Sequence, residues 1–159
     1  DILYGDLGSD TIYADGGNDI IDGGAGNDLL TFGFYNKSVT VDLRILSPQN
    51  TGAAGFDTID GIENIDGTLA NDSLYGDGSD NTLQGMAGND SLWGDVGNDR
   101  LDGGLGNDTV NGGFGDDVML GGTGIDMLSY ELITGDVEVS LRIAGPQDTG
   151  GAGTDTVSG

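Results

Sequence analysis

Residues 103–120 read GGLGNDTVN followed by GGFGDDVML, two nine-residue units in one register. Each unit has the form Gly-Gly-x-Gly-x-Asp-x-apolar-x, with its aspartate at Asp108 or Asp117. Outward from this pair the step of nine continues. Asp72, Asn81, Asp90, Asp99, Asp108, Asp117 and Asp126 form one run, and Asp1, Asp10, Asp19 and Asp28 form another. An apolar residue stands two places after each: Leu3, Ile12, Ile21 and Leu30, then Leu74, Leu83, Leu92, Leu101, Val110, Met119 and Leu128. Glycine stands two places before most of them, at Gly8, Gly17, Gly26, Gly88, Gly97, Gly106, Gly115 and Gly124, whereas Ala70 and Ser79 break that column. A fixed period of this kind is the mark of a repeat architecture.

Each column has a physical reason. Alternating glycines permit positive φ, so the backbone turns sharply and its carbonyls converge. Asn at the fifth place (Asn18, Asn27, Asn89, Asn98, Asn107) is expected to accept the left-handed region as well. The aspartate then aims a carboxylate at the point where the carbonyls meet. Three residues remain for a short strand with one inward side chain, which makes a core only when units stack. The expected fold is an all-β solenoid with two nonapeptides per coil, in which each unit touches mainly its neighbours.

Turns on one side then lie 18 residues apart, so Asp10 faces Asp28, Asp90 faces Asp108 and Asp99 faces Asp117. Carboxylates stacked at the strand spacing of ~4.8 Å repel unless a cation lies between them. Calcium suits the place because it takes six to eight oxygens, carbonyl and carboxylate together, in flexible geometry, whereas magnesium keeps its waters.

Composition narrows the function classes. Of 159 residues, 33 are glycine, 28 are Asp or Glu, and only four are Lys or Arg, for a net charge of −24. Such a field repels nucleic acid and anionic membranes. With no Cys and no His, the chain has no disulfide, no thiolate nucleophile and neither of the usual zinc ligands. No apolar run approaches the ~20 residues of a membrane helix, so no membrane insertion is expected. The chain begins inside one repeat and ends inside another, which predicts a fragment of something longer. The regularly placed aspartates have a metal role in this scheme, so a glycosidase-like carboxylate pair, and catalysis generally, is not expected.

These units resemble the nonapeptide repeats of the repeats-in-toxin (RTX) family of haemolysin-type calcium-binding repeats. The resemblance covers residues 1–30 and 67–129 directly. It implies a parallel β-roll, a right-handed β-solenoid with calcium in its turns. It also implies six ligands per ion: the earlier turn supplies the carbonyls of its second and fourth places plus its aspartate, and the turn one coil later those of its first and third places plus its aspartate. Carried over, one ion joins Met86, Gly88 and Asp90 to Gly103, Leu105 and Asp108. A second joins Asp95, Gly97 and Asp99 to Gly112, Phe114 and Asp117. A third joins Gly104, Gly106 and Asp108 to Gly121, Thr123 and Asp126. In the first run, Asp6, Gly8 and Asp10 meet Gly23, Ala25 and Asp28. Weaker sites follow where the motif departs: Thr68, Ala70 and Asp72 against Gly85, Ala87 and Asp90, and Asn81 against Gly94, Val96 and Asp99. Asp19 pairs with Asp1, which lacks its preceding turn. Two stacked pairs in the first run and five in the second predict about seven ions.

Two stretches interrupt the repeats, 31–66 and 130–159. Val39 to Gly61 aligns with Val137 to Gly159 at an offset of 98, with 14 of 23 positions identical. A longer unit therefore contains one insert and one nonapeptide run. Val39, Val41, Leu43 and Ile45 alternate with polar residues, predicting a half-buried strand longer than the repeat strands. Pro48 to Gly55 reads as a loop, after which Asp57, like Asp155, returns to the ligand place. The insert is expected to continue the roll as a widened coil. Arg44 and Arg142 recur at equivalent places and predict an ion pair within the insert. Tyr4, Tyr13, Tyr75 and Trp93 fall on the last, outward place, and Tyr75 and Trp93, 18 apart, should stack. Such a strip could shield the strands or hold a polysaccharide.

The resemblance implies folding on calcium after type I secretion from a bacterium, and hence a secreted, extracellular or cell-surface location. The 98-residue unit favours a structural stalk or spacer of a large adhesin, surface-layer or matrix protein. The alternatives are an accessory module of a secreted enzyme (protease, lipase or alginate epimerase) or toxin, or a filament that assembles through its open ends.

Overall fold

The computed structural model describes the chain apart from residues 34, 53, 132, 138, 140–144 and 159. The first run forms four strands of three residues: β1 (Ile2–Tyr4), β2 (Thr11–Tyr13), β3 (Ile20–Asp22) and β4 (Leu29–Thr31). β1 pairs in parallel with β3, Leu3 opposite Ile21, and β2 with β4, Ile12 opposite Leu30. Both pairings carry the 18-residue step.

In the insert lie β5 (Thr40–Asp42), β6 (Gln49–Asn50), β7 (Phe56–Asp60) and β8 (Asn64–Asp66). The second run supplies β9 (Ser73–Tyr75), β10 (Thr82–Gln84), β11 (Ser91–Val96), β12 (Arg100–Leu105), β13 (Thr109–Phe114), β14 (Val118–Thr123) and β15 (Met127–Leu128). β16 (Gln147–Asp148), a 3-10 turn over Gly150–Ala152 and β17 (Thr154–Ser158) follow. One sheet runs β16-β17-β14-β12-β10-β8-β4-β2. Facing it are two blocks, β1-β3-β7-β6 and β5-β9-β11-β13-β15. They meet where the Gln49 side chain bonds both backbone groups of Asp42, accepting from its N–H at 2.8 Å and donating to its carbonyl at 2.9 Å.

The fold is thus a parallel β-roll, with one inward side chain per strand. Ile12, Ile21, Leu30, Val41, Ile59, Ile65, Leu74, Leu83, Leu92, Leu101, Val110 and Met119 are all buried in one continuous cluster. Phe32, Val39, Leu43, Ala54 and Ile62 thicken it within the insert. One aliphatic residue per nine is nevertheless a thin core, and the coils depend on their turns.

The insert keeps the roll going by doubling back. The chain leaves β4 and lays β5 ahead of the growing face. It returns through β6, antiparallel to β7, which puts Ile59 against Ile21. β8 then stacks on β4, Leu30 opposite Ile65, and β9 stacks on β5, Val41 opposite Leu74. The strand expected over Val39 to Ile45 is only three residues long. The Asp42 carboxylate accepts the Arg44 backbone N–H at 3.0 Å and Ile45 N–H bonds back to the Asp42 carbonyl at 3.1 Å, which turns the chain. Leu43 remains buried and Ile45 is exposed. The expected loop from Pro48 is partly strand, because β6 pairs with β7.

The turns take positive φ at the second and fourth places, for example 73° at Met86 and 128° at Gly88, and 81° at Asp95 and 141° at Gly97. A Cβ on Gly106 would fall within the carbonyl oxygen of Gly88, so that place admits only glycine. The fifth-place asparagines do not take the left-handed region. Their side chains bond to the next coil instead: Asn89 Oδ1 accepts from Asn107 N–H at 2.9 Å, and Asn107 Oδ1 from Ile125 N–H at 2.8 Å. A short polar side chain competes well for nearby backbone donors, and here the donor one coil away wins.

Candidate metal centres

The aspartates of successive coils form two inner columns, one beside each sheet. In one, Asp72 N–H donates to Asp90 Oδ1 at 2.8 Å, Asp90 N–H to Asp108 Oδ1 at 2.8 Å and Asp108 N–H to Asp126 Oδ1 at 3.0 Å. In the other, Asn81 N–H donates to Asp99 Oδ1 at 2.8 Å and Asp99 N–H to Asp117 Oδ1 at 2.9 Å. Asp10 N–H reaches Asp28 Oδ1 at 2.7 Å in the same way. Each carboxylate therefore reaches back to the previous coil, whereas the fifth-place amides reach forward. The opposed directions clamp adjacent coils.

One oxygen of each pair is used up by that bond. The other, Oδ2, is buried without a partner in Asp10, Asp19, Asp28, Asp90, Asp99, Asp108 and Asp117. Unpartnered buried oxygens are costly and rare, and a column of them calls for a ligand. The space in front of them is lined by oxygen. A Cβ built on Gly103 would lie 2.5 Å from Asp108 Oδ2 and 2.7 Å from the Gly121 carbonyl oxygen one coil later. The same arrangement recurs at Gly85, with Asp90 and the Gly103 carbonyl, and at Gly94, with Asp99 and the Gly112 carbonyl. Carboxylate and carbonyl oxygens crowded together, with no nitrogen or sulfur donor among them, are the donor set of a hard cation, and calcium takes six to eight such oxygens.

Electrostatics point the same way. Burial, with repulsion from Asp72 and Asp108 added, pushes the Asp90 carboxyl up to about 7. Burial and the nearby Asp117, Asp80 and Asp77 push Asp99 up to about 7. Asp117 rises to about 6 through burial and repulsion from Asp155 and Asp116. Without a cation, the fold resists the charges its own sequence places there.

Most of the expected ligand sets come together. Leu105 N–H bonds the Met86 carbonyl at 3.0 Å and Gly88 N–H the Leu105 carbonyl at 2.8 Å. Asp95 and Val96 pair with Gly113 and Phe114, and Gly97 N–H bonds the Phe114 carbonyl at 3.0 Å. Gly104 pairs with Gly122, Leu105 with Thr123, and Gly106 N–H bonds the Thr123 carbonyl at 2.9 Å. In the first run, Ala25 N–H bonds the Asp6 carbonyl at 2.8 Å and Gly8 N–H the Ala25 carbonyl at 3.0 Å. Several of the carbonyls assigned by resemblance thus already hold a cross-turn bond and offer their second lone pair. The first-place carbonyls of Gly103, Gly112 and Gly121 crowd the same glycines, Gly85, Gly94 and Gly103, as the open oxygens of Asp90, Asp99 and Asp108.

At two expected positions the polar groups are engaged by the protein itself. Thr68 N–H donates to Asp72 Oδ2 at 2.6 Å, and its hydroxyl lies 3.0 Å from each Asp72 oxygen. Asn81 accepts from Asp77 N–H at 2.8 Å and donates to the Glu63 carbonyl at 3.0 Å. The inserts use a similar cap: Thr149 hydroxyl bonds Asp155 Oδ2 at 2.8 Å, and Thr51 hydroxyl bonds Asp57 Oδ2.

The nine-residue step missed what the insert contributes. Asp28 N–H donates to Glu63 Oε2 at 2.8 Å, so a glutamate continues the aspartate column across an offset of 35. The carbonyl of Gly61 lies against Gly23 and Asp28 as the carbonyl of Gly103 lies against Gly85 and Asp90. Ile65, two places after Glu63, was the available signal. Asp57 and Asp155 continue the aspartate columns, accepting from Asp19 N–H at 2.9 Å and Asp117 N–H at 3.0 Å. Asp15, also missed, brings a carboxylate oxygen within 4.8 Å of Asp1 and Asp19.

Outside the columns, Tyr75 and Trp93 stack as expected, with centroids 4.8 Å apart and planes 10° from parallel. Arg44 pairs with Asp42 at 2.8 Å, and also with Asp95 of the second run at 3.3 Å. Its counterpart Arg142 lies outside the described residues. Among the described residues no helix is long and apolar enough to cross a membrane.

The family model of the RTX calcium-binding nonapeptide repeat matches residues 1–30, 59–92, 66–101, 75–110 and 93–128. No curated protein matches the chain.

Proposed function

Because the chain belongs to the RTX calcium-binding nonapeptide repeat family, we propose that it is a segment of a large secreted bacterial protein that folds on calcium and then serves as a stiff spacer. The observation that carries this reading is the column of buried, unpartnered Oδ2 atoms on Asp10, Asp19, Asp28, Asp90, Asp99, Asp108 and Asp117. Bound calcium supplies the positive charge the columns need. The residues do the rest: aspartates bond coil to coil, first-place carbonyls converge, and the aliphatic column closes behind them.

Metal-binding free energy then becomes folding free energy. In a calcium-poor cytoplasm the chain would stay expanded and exportable, in keeping with type I secretion. At the millimolar calcium typical outside cells, extracellular modules of modest affinity fill. The repetition of the 98-residue unit favours a stalk of an adhesin, surface-layer or matrix protein over the tail of an enzyme, because length is what repetition adds. The partners beyond calcium are neighbouring copies of the unit and, on the outer surface, polysaccharide.

The test is a calcium titration of the chelated chain followed by far-UV circular dichroism. A cooperative gain of β signal by about millimolar calcium is expected. An unchanged spectrum across that range would sink the folding claim.

A further inference from the structure

Along the outer face of the five-stranded block, one place per strand forms a ladder: Asp42, Tyr75, Trp93 and Asn111. The first three are engaged with one another. The Arg44 guanidinium lies 5.3 Å from the Tyr75 ring centroid and is held by Asp42 through Nε and Nη2, both at 2.8 Å. The other ring of the stack belongs to Trp93. Beyond the indole comes the amide of Asn111. It is 1% exposed, and neither its Oδ1 nor its Nδ2 has a hydrogen-bond partner. A cavity of about 160 Å³ opens here, lined by Trp93, Asn111 and Gly113 together with Arg44, Tyr75, Asp95 and Glu131. Drug-sized ligands take ~300–1,000 Å³, so this space suits a single ring.

We propose that this cavity binds one ring of an uncharged polysaccharide, stacked on Trp93 and hydrogen-bonded to Asn111. The chemistry of the orphan amide selects the class. Its Nδ2 needs an acceptor and its Oδ1 a donor, and a hydroxyl is both. A protonated amine offers only donors, a quaternary ammonium offers neither, and a deprotonated acid offers only acceptors. The cationic place on the aromatic stack is already taken by Arg44, and an acidic glycan would meet Asp95, Glu131 and a chain of net charge −24. A pyranose brings an apolar C–H face for the indole and hydroxyls at its rim for Asn111 and for the carboxylates of Asp95 and Glu131. Gly113, whose φ is 101°, is held to glycine by the Asp95 carbonyl that a Cβ would strike, and it gives the cavity only backbone.

This inference goes beyond the spacer role but needs the calcium-folded roll. The experiment therefore separates the two. Trp93 is the only tryptophan, so its fluorescence reports on this site alone. The calcium-loaded chain, with its β signal verified by circular dichroism, is titrated with maltohexaose, cellohexaose and laminarihexaose, and in parallel with tetramethylammonium and polygalacturonate. A saturable emission shift with at least one neutral glucan is expected. Asn111→Leu, which fills the cavity, should weaken that binding about tenfold or more without moving the calcium midpoint. Asn111→Ser serves if the leucine variant does not fold, with calorimetry as the second readout. A folded chain that responds to no neutral glucan, responds only to the cation or the polyanion, or binds equally well in both variants would overturn the proposal. Failure to gain β signal with calcium would instead strike the folding reading.

Discussion

At the scale of single residues, the fate of one carboxylate oxygen separates two kinds of aspartate. Asp108 leaves Oδ2 open to its cradle, whereas Thr68 bonds both oxygens of Asp72. Replacing Asp108 with Asn should therefore raise the calcium midpoint in a circular dichroism titration well above that of Asp72→Asn. Equal shifts would contradict the assignment. The raised carboxyl pKa values bear on the metal-free chain. Asp90 and Asp99 rise from 3.8 to about 7 in the fold, chiefly through burial. A raised folded-state value means stability that is present below the unfolded pKa and lost as pH rises through the folded one. The chelated chain should thus be most β-structured near pH 4 and lose that structure by about pH 7, which a pH series of far-UV spectra would check. A stronger signal at pH 8 than at pH 5 would refute it.

At the scale of the turn and its strand, the glycines divide sharply. Gly106 has φ of 142° and packs against the Gly88 carbonyl, while a Cβ on Gly78 would meet nothing within 4 Å. Gly106→Ala should destabilise the calcium-loaded fold by at least ~2 kcal/mol in urea melts, and Gly78→Ala should stay within about 0.5 kcal/mol. The 18-residue pairing, the inward aliphatic column and the outward Tyr75–Trp93 stack were all legible in the sequence, because each follows from a fixed period. Less legible was whatever depends on the other coil's backbone. The Asn89–Asn107 ladder looked like backbone tolerance and is side-chain bonding. Glu63 was hidden because the insert shifts the step from 18 to 35 and swaps glutamate for aspartate. The three-residue β5 was hidden because Asp42 caps its own turn, a local bond that an alternation of apolar residues cannot reveal.

For the whole molecule, a thin core and charged columns make shape depend on metal. Above neutral pH, where the inner carboxylates are charged, chelation should raise the radius of gyration in small-angle scattering towards ~40 Å, the value for an unfolded chain of this length. A compact chelated particle would contradict that. The 98-residue unit has its own geometric outcome. Shifting by 98 carries β6 onto β16 and β7 onto β17, residue for residue, and β3 onto the first three residues of β14. Yet β7 stacks on β3 in one sheet and β17 stacks on β14 in the opposite one. The unit spans a half-integral number of coils, so each copy presents its insert to the flank its predecessor left bare. A tandem array would be set like leaves alternating along a twig. Whatever the inserts carry would be met from both sides at once, and only every second copy would share an aspect.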